Sequence, residues 1–338
     1  MELLETIVVE SATGSRFIEL YHGDLTRIPP DQAVDLLVVS AFPNDYSATH
    51  GSVVGALYRS GVSVAALARN KAEDLRENYG CWLSSPISDQ MNPGFDRILC
   101  FEPEVRGSPP EVVGDIFRSL FPVIESGVAV STIAMPLVAS GDARWPRDQM
   151  FPPLLEAAVQ WLQAGLRVDK IKIVDRERDK ALALRQMMAR FKANSPGGQS
   201  RQVAEHAYDV FISYSRLDRV AADHLANVLR AHRSKPAVFQ DTLEIDGGAS
   251  WQQKMWEALE ASHKIVALYS PAYLASKVCQ EEYAIARLRE QEAGNILVPI
   301  YLVTTKLPAY IRILNYTDCR ESDRDLLSAA IDKILPAR

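Results

Sequence analysis

The chain has 338 residues, of which 47% are hydrophobic and 24% charged, a balance typical of a folded globular protein. The length exceeds what one small core needs and suits two domains of ordinary size. The formal net charge of −6 argues against a broad nucleic-acid-binding surface, so no nucleic-acid partner is expected.

The four cysteines lie far apart and form no C-x-x-C pair, which predicts reduced thiols and no metal site. The first residues are acidic where a secretion signal is basic. No apolar stretch approaches the length of about 20 residues that a membrane span requires. We therefore expect a cytoplasmic protein without a membrane partner.

The first half of the chain alternates short apolar runs with amphipathic stretches, which is typical of α/β architecture with a largely parallel sheet. The apolar run at 36–39 predicts a strand buried on both faces. Strands are predicted at 17–21, 35–40, 97–101, 132–137 and 170–174, and helices at 110–125 and 152–164.

Pro196, Gly197 and Gly198 interrupt any helix, and we place a linker at 193–206, between a domain at 1–192 and another at 207–338. The second domain shows the same alternation. Its strands are predicted at 210–214, 237–240, 263–269, 296–302 and, to complete the sheet, 313–316; its helices at 218–233, 250–262, 279–292 and 324–335.

Polar side chains follow the predicted strands of the second domain. Since ligands of doubly wound sheets bind beyond the carboxyl ends of the strands, these side chains should share one rim of the sheet. The members of this set are Tyr214, Ser215, Asp241, Ser276 and Glu282.

Three segments of the second domain, in this order, resemble a TIR domain. The run 209–215 (Asp-Val-Phe-Ile-Ser-Tyr-Ser) is similar to the first box of that family, and 248–251 is similar to its G-x-x-W. The run 276–282 is similar to its S-x-W-C-x-x-E, with Val278 in the tryptophan position. Many family members cleave NAD between nicotinamide and ribose. The resemblance therefore implies an NAD glycohydrolase, with cyclic ADP-ribose as an alternative product, like bacterial TIR NADases of defence and signalling.

The resemblance assigns the catalytic carboxylate to Glu282, which would stabilise positive charge on the ribose. NAD is then the substrate, and neither a cofactor nor a metal is expected. The substrate-binding positions that it implies are Tyr214, Ser215, Arg216, Asp241, Ser276 and Val278. Val278 removes an aromatic stacking surface worth about 1 kcal/mol.

The family behaviour also implies a homo-oligomer, formed through the loop at 242–250. The residues of this self-association surface are Ile245, Gly247, Gly248 and Trp251. Simpler explanations exist for several of these residues. Gly247 and Gly248 suit an ordinary turn, Trp251 and Cys279 suit helix packing, and acids such as Glu282 are favoured in the first turn of a helix.

The first domain resembles, more faintly, a macro domain, an ADP-ribose-binding module with a mixed sheet. The run 21–26 is similar to its G-D-I-T turn, 35–44 to its D-x-I-V-N-A-A-N strand, 50–57 to G-G-G-V-A-x-A-I and 135–141 to P-x-x-x-T-G. The ligand-binding positions implied are Gly23, Asp24, Leu25, Gly51, Ser52, Val53, Ser140 and Gly141. The family's asparagines are lost or displaced, so removal of ADP-ribose from other molecules is not predicted. A turn and a helix cap explain Gly23 and Asp24 equally well.

The sequence thus predicts two three-layer α/β domains, a macro-like mixed sheet followed by a flavodoxin-like parallel-sheet TIR domain. The strand-following G-x-G-x-x-G, the P-loop and the nucleophile elbow are absent from the sequence. The first hypothesis is an NAD-cleaving enzyme whose macro-like domain binds ADP-ribose derivatives and regulates it. The alternatives are a non-catalytic TIR adaptor, which Val278 favours and Glu282 opposes, and a first domain that reads an ADP-ribose signal made elsewhere.

Overall fold

The computed structural model describes residues 1–88, 93–102, 109–137, 146–194, 207–240, 249–312, 314–320 and 323–335, with the backbone alone at 109–112 and 249–254. The chain divides into two compact units, Met1–Ser200 and Arg201–Arg338. None of the described helices is both long and apolar enough to cross a bilayer.

The first unit is built on a mixed sheet that has eight strands within the described ranges. Its strands are β1 (Glu2–Ser11), β2 (Gly14–His22), β3 (Val34–Ser40), β4 (Lys71–Asp74), β5 (Cys81–Ser84), β6 (Phe95–Phe101), β7 (Thr132–Met135) and β8 (Lys170–Asp175). They lie in the order β1-β2-β8-β7-β3-β6-β5-β4. The central strands from β2 to β6 are parallel, while β1, β5 and β4 pair antiparallel at the two edges.

Helices cover both faces of this sheet. They are α1 (Val53–Arg59), α2 (Val64–Leu67), α3 (Arg76–Tyr79), α4 (Pro109–Glu125), α5 (Arg147–Gln163) and α6 (Arg178–Asn194). Helices α1 and α2 pack into the core cluster on one face, and α5 and α6 pack against β1 and β2. Helix α5 begins at Arg147, before the predicted start at 152, and runs through two prolines. The linker predicted at 193–206 begins in the last turn of α6, and its residues 195–206 lie outside the described ranges.

The second unit is a parallel sheet with strands β9 (Tyr208–Ser213), β10 (Val238–Gln240), β11 (Ser262–Tyr269), β12 (Leu297–Tyr301) and β13 (Thr317–Asp318). Their order, β10-β9-β11-β12-β13, is that of a flavodoxin-like doubly wound fold. The prediction of a last strand at 313–316 is wrong, because the strand that pairs with β12 follows at Thr317.

The helices of this unit are α7 (Arg219–Ala231), α8 (Ala249–Glu260), α9 (Pro271–Ala275), α10 (Lys277–Ala293), α11 (Ala309–Arg312), α12 (Arg324–Ala329) and α13 (Ile331–Ile334). Helices α7, α12 and α13 pack on one face of the sheet, and α8 and α10 contact its strands as well. The helix predicted at 324–335 is two short helices. The α/β fold class and the two kinds of sheet predicted from the sequence are confirmed.

Candidate functional site

The site predicted in the second unit lies where the strand order reverses. Strand β9 is flanked by β10 on one side and by β11 on the other. The chain therefore adds β10 on one side of β9 and then crosses to the other side to form β11. Such a switch point opens a crevice at the carboxyl ends of the strands, where ligands of doubly wound folds bind. Ser213 ends β9 and Ser270 follows β11 at this place.

Glu282 lies in the second turn of α10, at the side of this crevice. Helix α10 begins at Lys277, and Ser276 caps it by accepting a hydrogen bond from the amide of Cys279 at 3.4 Å. The helix therefore starts before the predicted residue 279, and its first turn contains no acid. A preference of first-turn acids for the helix dipole consequently does not explain this glutamate.

The Glu282 carboxylate is buried, with 4% of the residue exposed. Its Oε2 accepts a hydrogen bond from the Ser213 hydroxyl at 2.5 Å. The Ser213 Oγ is in turn 2.9 Å from the hydroxyl oxygen of Tyr273 on α9. The side chain that the strand end brings to Glu282 is therefore Ser213, a member of the first box that was not among the predicted site residues.

The groups around this carboxylate are held in their neutral forms. Burial raises the pKa of Tyr273 well above its ordinary value, and the nearby Cys279 and Glu282 side chains act in the same direction. Burial likewise raises the pKa of the Cys279 thiol, again with a contribution from Glu282. Because a reactive cysteine needs an accessible thiolate, Cys279 is a packed thiol in this site.

A second carboxylate, Asp218, stands on the same rim and is half-buried. Its Oδ2 accepts a hydrogen bond from the Ser270 hydroxyl at 2.5 Å, and Ser270 also caps α9 through the amide of Tyr273. Burial raises the pKa of Asp218, against the opposite effect of the Ser270 hydrogen bond. The side chain is close enough to Cys279 to influence its pKa.

The other predicted positions of the TIR site have separate surroundings. Tyr214 packs against the core cluster that contains Ile212 and α7, whereas its neighbour Ser213 contacts Glu282. Ser215 is buried and caps a short turn by accepting from the amide of Leu217 at 3.4 Å, and Arg216 is exposed.

Several predictions for this unit stay untested. Ser276 and Val278 are partly exposed at the start of α10, on the helix that carries Glu282. Outside the described residues lie Asp241, Ile245, Gly247 and Gly248, and Trp251 is described by its backbone alone, in α8.

In the first unit, the predicted ligand residues Gly23, Asp24 and Leu25 follow the carboxyl end of β2. Asp24 Oδ1 accepts hydrogen bonds from the amide of Thr26 at 2.9 Å and from its hydroxyl at 2.8 Å, which forms a tight turn. A Cβ at Gly23 would lie 2.5 Å from the Met1 side chain, so this glycine permits a close contact. Leu25 is a core residue.

The second predicted loop of the first unit leads into α1. Ser52 caps the helix by accepting from the amide of Gly55 at 2.9 Å, with Gly51 exposed before it and Val53 partly buried after it. Gly55 was not predicted, yet a Cβ there would lie 1.9 Å from the carbonyl oxygen of Thr49. Ser140 and Gly141 lie outside the described residues.

A buried carboxylate that the sequence analysis did not identify holds the loop between β3 and α1 in place. Glu102, 2% exposed, follows β6 and accepts hydrogen bonds from Trp82 Nε1 and the Tyr46 hydroxyl, each at 2.5 Å, and from the amide of Asn44 at 3.1 Å. It thereby ties the start of the loop at 41–52 to the sheet. Asp35, by contrast, lies at the other end of the sheet. It accepts hydrogen bonds from the amides of Ser131 and Thr132 and so links β3 to the start of β7.

The fold and the buried glutamate at its switch point define the second unit as a doubly wound α/β domain with an acidic site. Residues 210–335 of this unit match the family model described as TIR domain, which confirms the resemblance found in the sequence. A human Toll/interleukin-1 receptor domain-containing adapter protein is 27% identical over 131 residues, which are 38% of this chain and 58% of that protein. The chain thus matches little more than half the length of this relative.

Solved structures similar to this chain include macrodomains and a TIR domain. A macrodomain of Oceanobacillus iheyensis with MES bound is 16% identical and covers 56% of this chain and 97% of its own, with a TM-score of 0.42. A Trypanosoma brucei macrodomain in complex with ADP-ribose is 20% identical and covers 51% and 68%, with a TM-score of 0.38. The TIR domain of a Toll-related receptor from Hydra magnipapillata is 21% identical and covers 36% and 89%, with a TM-score of 0.29.

Proposed function

We propose that the second unit cleaves NAD at the bond between nicotinamide and ribose, with Glu282 as the catalytic carboxylate. The observation that supports the proposal is the placement of Glu282. It is a buried acid at the switch point of a doubly wound TIR domain, held by a hydroxyl from the end of the central strand. The helix dipole does not account for a carboxylate at this position, because Glu282 lies beyond the first turn of α10.

The chemistry needs little acid catalysis. The bond from the ribose carbon C1′ to the pyridinium nitrogen breaks with its electron pair on nitrogen, so nicotinamide leaves as a neutral molecule. The ribose acquires oxocarbenium character, which a fixed carboxylate stabilises as in glycoside hydrolysis. Addition of water at C1′ gives ADP-ribose and releases one proton. Attack by the adenine end gives a cyclic product instead.

The burial of Glu282 bears on when this reaction occurs. With 4% of the residue exposed, contact with a ribose requires a rearrangement of the groups that cover the carboxylate. We propose that self-association through the loop at 242–250 supplies that rearrangement, and that the active species is a homo-oligomer. A dilute protein should then show low activity, and the specific activity should rise with protein concentration.

Turnover of NAD by the full-length protein tests this proposal. We expect NAD loss to increase more than in proportion to protein concentration, and Glu282→Gln to lower the rate by about 100-fold or more. Glu281→Gln is the matched control, because Glu281 lies on the same helix and accepts from Trp256 Nε1 at 3.1 Å, which a glutamine oxygen still does. Absence of NAD loss at every concentration, or equal rates in both variants, would contradict the proposal.

We further propose that the first unit binds an ADP-ribose derivative and regulates the second. The support is positional, since the loops at 23–25 and 51–53 follow the carboxyl ends of the parallel strands β2 and β3. Calorimetry of the full chain with ADP-ribose, and with AMP for comparison, tests the binding. Asp24→Asn keeps an oxygen for the Thr26 turn but replaces the other acceptor by a donor, so it should weaken ADP-ribose binding by about 10-fold.

A second candidate function is a non-catalytic adaptor that recruits another TIR protein. The observation in its favour is the exposed apolar pair Leu217 and Val220, at 86% and 72% exposure, next to the start of α7. The human relative is also an adapter protein by name. If recruitment is the function, Glu282→Gln should leave co-precipitation of a TIR partner unchanged, while Leu217→Asp with Val220→Asp should abolish it.

A further inference from the structure

We propose that Tyr273 and Ser213 form a hydrogen-bond relay that positions the Glu282 carboxylate for the reaction on ribose, with Ser213 as its central positioning residue. The proposal rests on the proposed NAD cleavage and adds the residues that aim its carboxylate. We call the three side chains the hydroxyl relay. They come from the end of β9, from α9 and from α10, so the relay joins three elements around the switch point.

The direction of the two hydrogen bonds follows from counting protons. The Ser213 hydroxyl has one proton, and that proton is donated to Glu282 Oε2 across 2.5 Å. The Ser213 Oγ therefore acts as an acceptor toward Tyr273, and the tyrosine hydroxyl donates to it across 2.9 Å. Each hydroxyl thus polarises the next in one direction, toward the carboxylate.

Burial strengthens the two hydrogen bonds and maintains their direction. Ser213 and Tyr273 are 1% exposed and Glu282 is 4% exposed, so water competes little for the bonds. Burial also raises the pKa of Tyr273 well above its usual value, so the phenol keeps its proton and stays a donor throughout the neutral range. The ring is held by contact with Tyr269, with centroids 5.7 Å apart, and by the cap of α9.

The hydroxyl relay gives the Glu282 carboxylate a fixed position, which its own side chain does not provide. A glutamate side chain has several rotatable bonds, whereas a catalytic group must be held within about 0.5 Å of its working position. Ser213 extends from a central strand and is the rigid point of the relay. The ionisable groups that face the hydroxyl relay from outside it are Cys279 on α10, Asp218 before α7 and Tyr269 at the end of β11.

The test compares three single-hydroxyl deletions in the full chain by measuring kcat, KM and the pH profile of NAD cleavage. We expect Ser213→Ala to lower kcat by about 10-fold with KM changed less than about twofold. It should also move the acid limb of the profile to higher pH, since the lost donor favoured the ionised carboxylate. Tyr273→Phe should do both to a smaller extent.

Ser262→Ala is the matched control, because Ser262 is a buried serine at the start of β11 whose hydroxyl binds the carbonyl of Ala258 at 2.6 Å. It should change stability without changing the pH profile. The relay is overturned if folded Ser213→Ala keeps the wild-type kcat and profile. If Ser213→Ala does not fold, an unchanged rate and profile in Tyr273→Phe overturns it. Absence of NAD turnover in the wild-type protein instead refutes the proposed NAD cleavage itself. Failure of the relay and failure of the proposed function are therefore distinguishable.

Discussion

Glu102 should be among the most stabilising single side chains of the first unit, and Glu102→Ala measures its contribution. The substitution leaves the indole N–H of Trp82 without its partner in a residue that is 0% exposed. An unsatisfied buried donor costs about 1–3 kcal/mol. The Tyr46 hydroxyl and the amide of Asn44 lie closer to solvent and can turn to water, so each adds less. The cavity left by the removed side chain brings the expected loss to about 2–4 kcal/mol.

Urea unfolding combined with hydrogen exchange by mass spectrometry gives both the size and the place of this loss. Amides at 41–47 and 81–84 should exchange faster in Glu102→Ala, and those of the second unit should not change. The matched control is Glu10→Ala, because Glu10 is an exposed glutamate of β1 that accepts from the Ser15 hydroxyl at 3.0 Å. If Glu102→Ala destabilises the chain no more than this control, the three hydrogen bonds do not stabilise the loop as argued.

Two further predictions concern the other unexpected residues. Gly55→Ala should destabilise the first unit by about 2 kcal/mol or more and displace α1, because its Cβ would meet the carbonyl oxygen of Thr49, whereas Gly51→Ala meets no atom within 4 Å and should be neutral in thermal unfolding. Asp218→Asn should stabilise the protein at neutral pH, since burial raises the native pKa of Asp218 and its ionisation therefore opposes folding. That gain should be largest above the native pKa and vanish as pH falls to the ordinary aspartate range. A gain that is independent of pH would contradict this account.

The fold was predictable from the sequence where burial is symmetric. The run at 36–39 is covered on both faces, so its continuous apolar character identified β3 correctly. The edge strands lack this signal. In β1 the buried Ile7 and Val9 alternate with exposed residues, and β4 consists of Lys-Ala-Glu-Asp, which has little strand propensity and depends on pairing with β5. Tertiary pairing, which a local pattern does not contain, decides such strands.

The site was predictable only where a motif marks it. Glu282 follows from the spacing of a short segment, but Ser213, which donates a hydrogen bond to it, lies 69 positions earlier in the chain. Ser213 is likewise 60 positions from Tyr273. Glu102 accepts a hydrogen bond from Tyr46, which lies 56 positions earlier in the chain. Long-range contacts of this kind are set by topology, and side-chain periodicity does not report them.

The two buried glutamates differ in the donors that satisfy them, and this difference predicts different responses to the same isosteric change. Glu102 accepts from an indole and a backbone amide, which cannot reverse their polarity, so Glu102→Gln places an amide NH₂ against a fixed donor. Glu282 accepts from the Ser213 hydroxyl, and a glutamine side-chain oxygen accepts from the same hydroxyl.

The Ser213 contact should therefore survive Glu282→Gln, while Glu102→Gln costs about 1–3 kcal/mol of unfolding free energy. Parallel urea titrations of both variants measure the difference. Equal losses would mean that the hydroxyl contact is as rigid as the indole contact. A smaller loss at Glu282 would show that the fold depends less on this carboxylate than on that of Glu102, which is the result that the proposed catalytic role of Glu282 predicts.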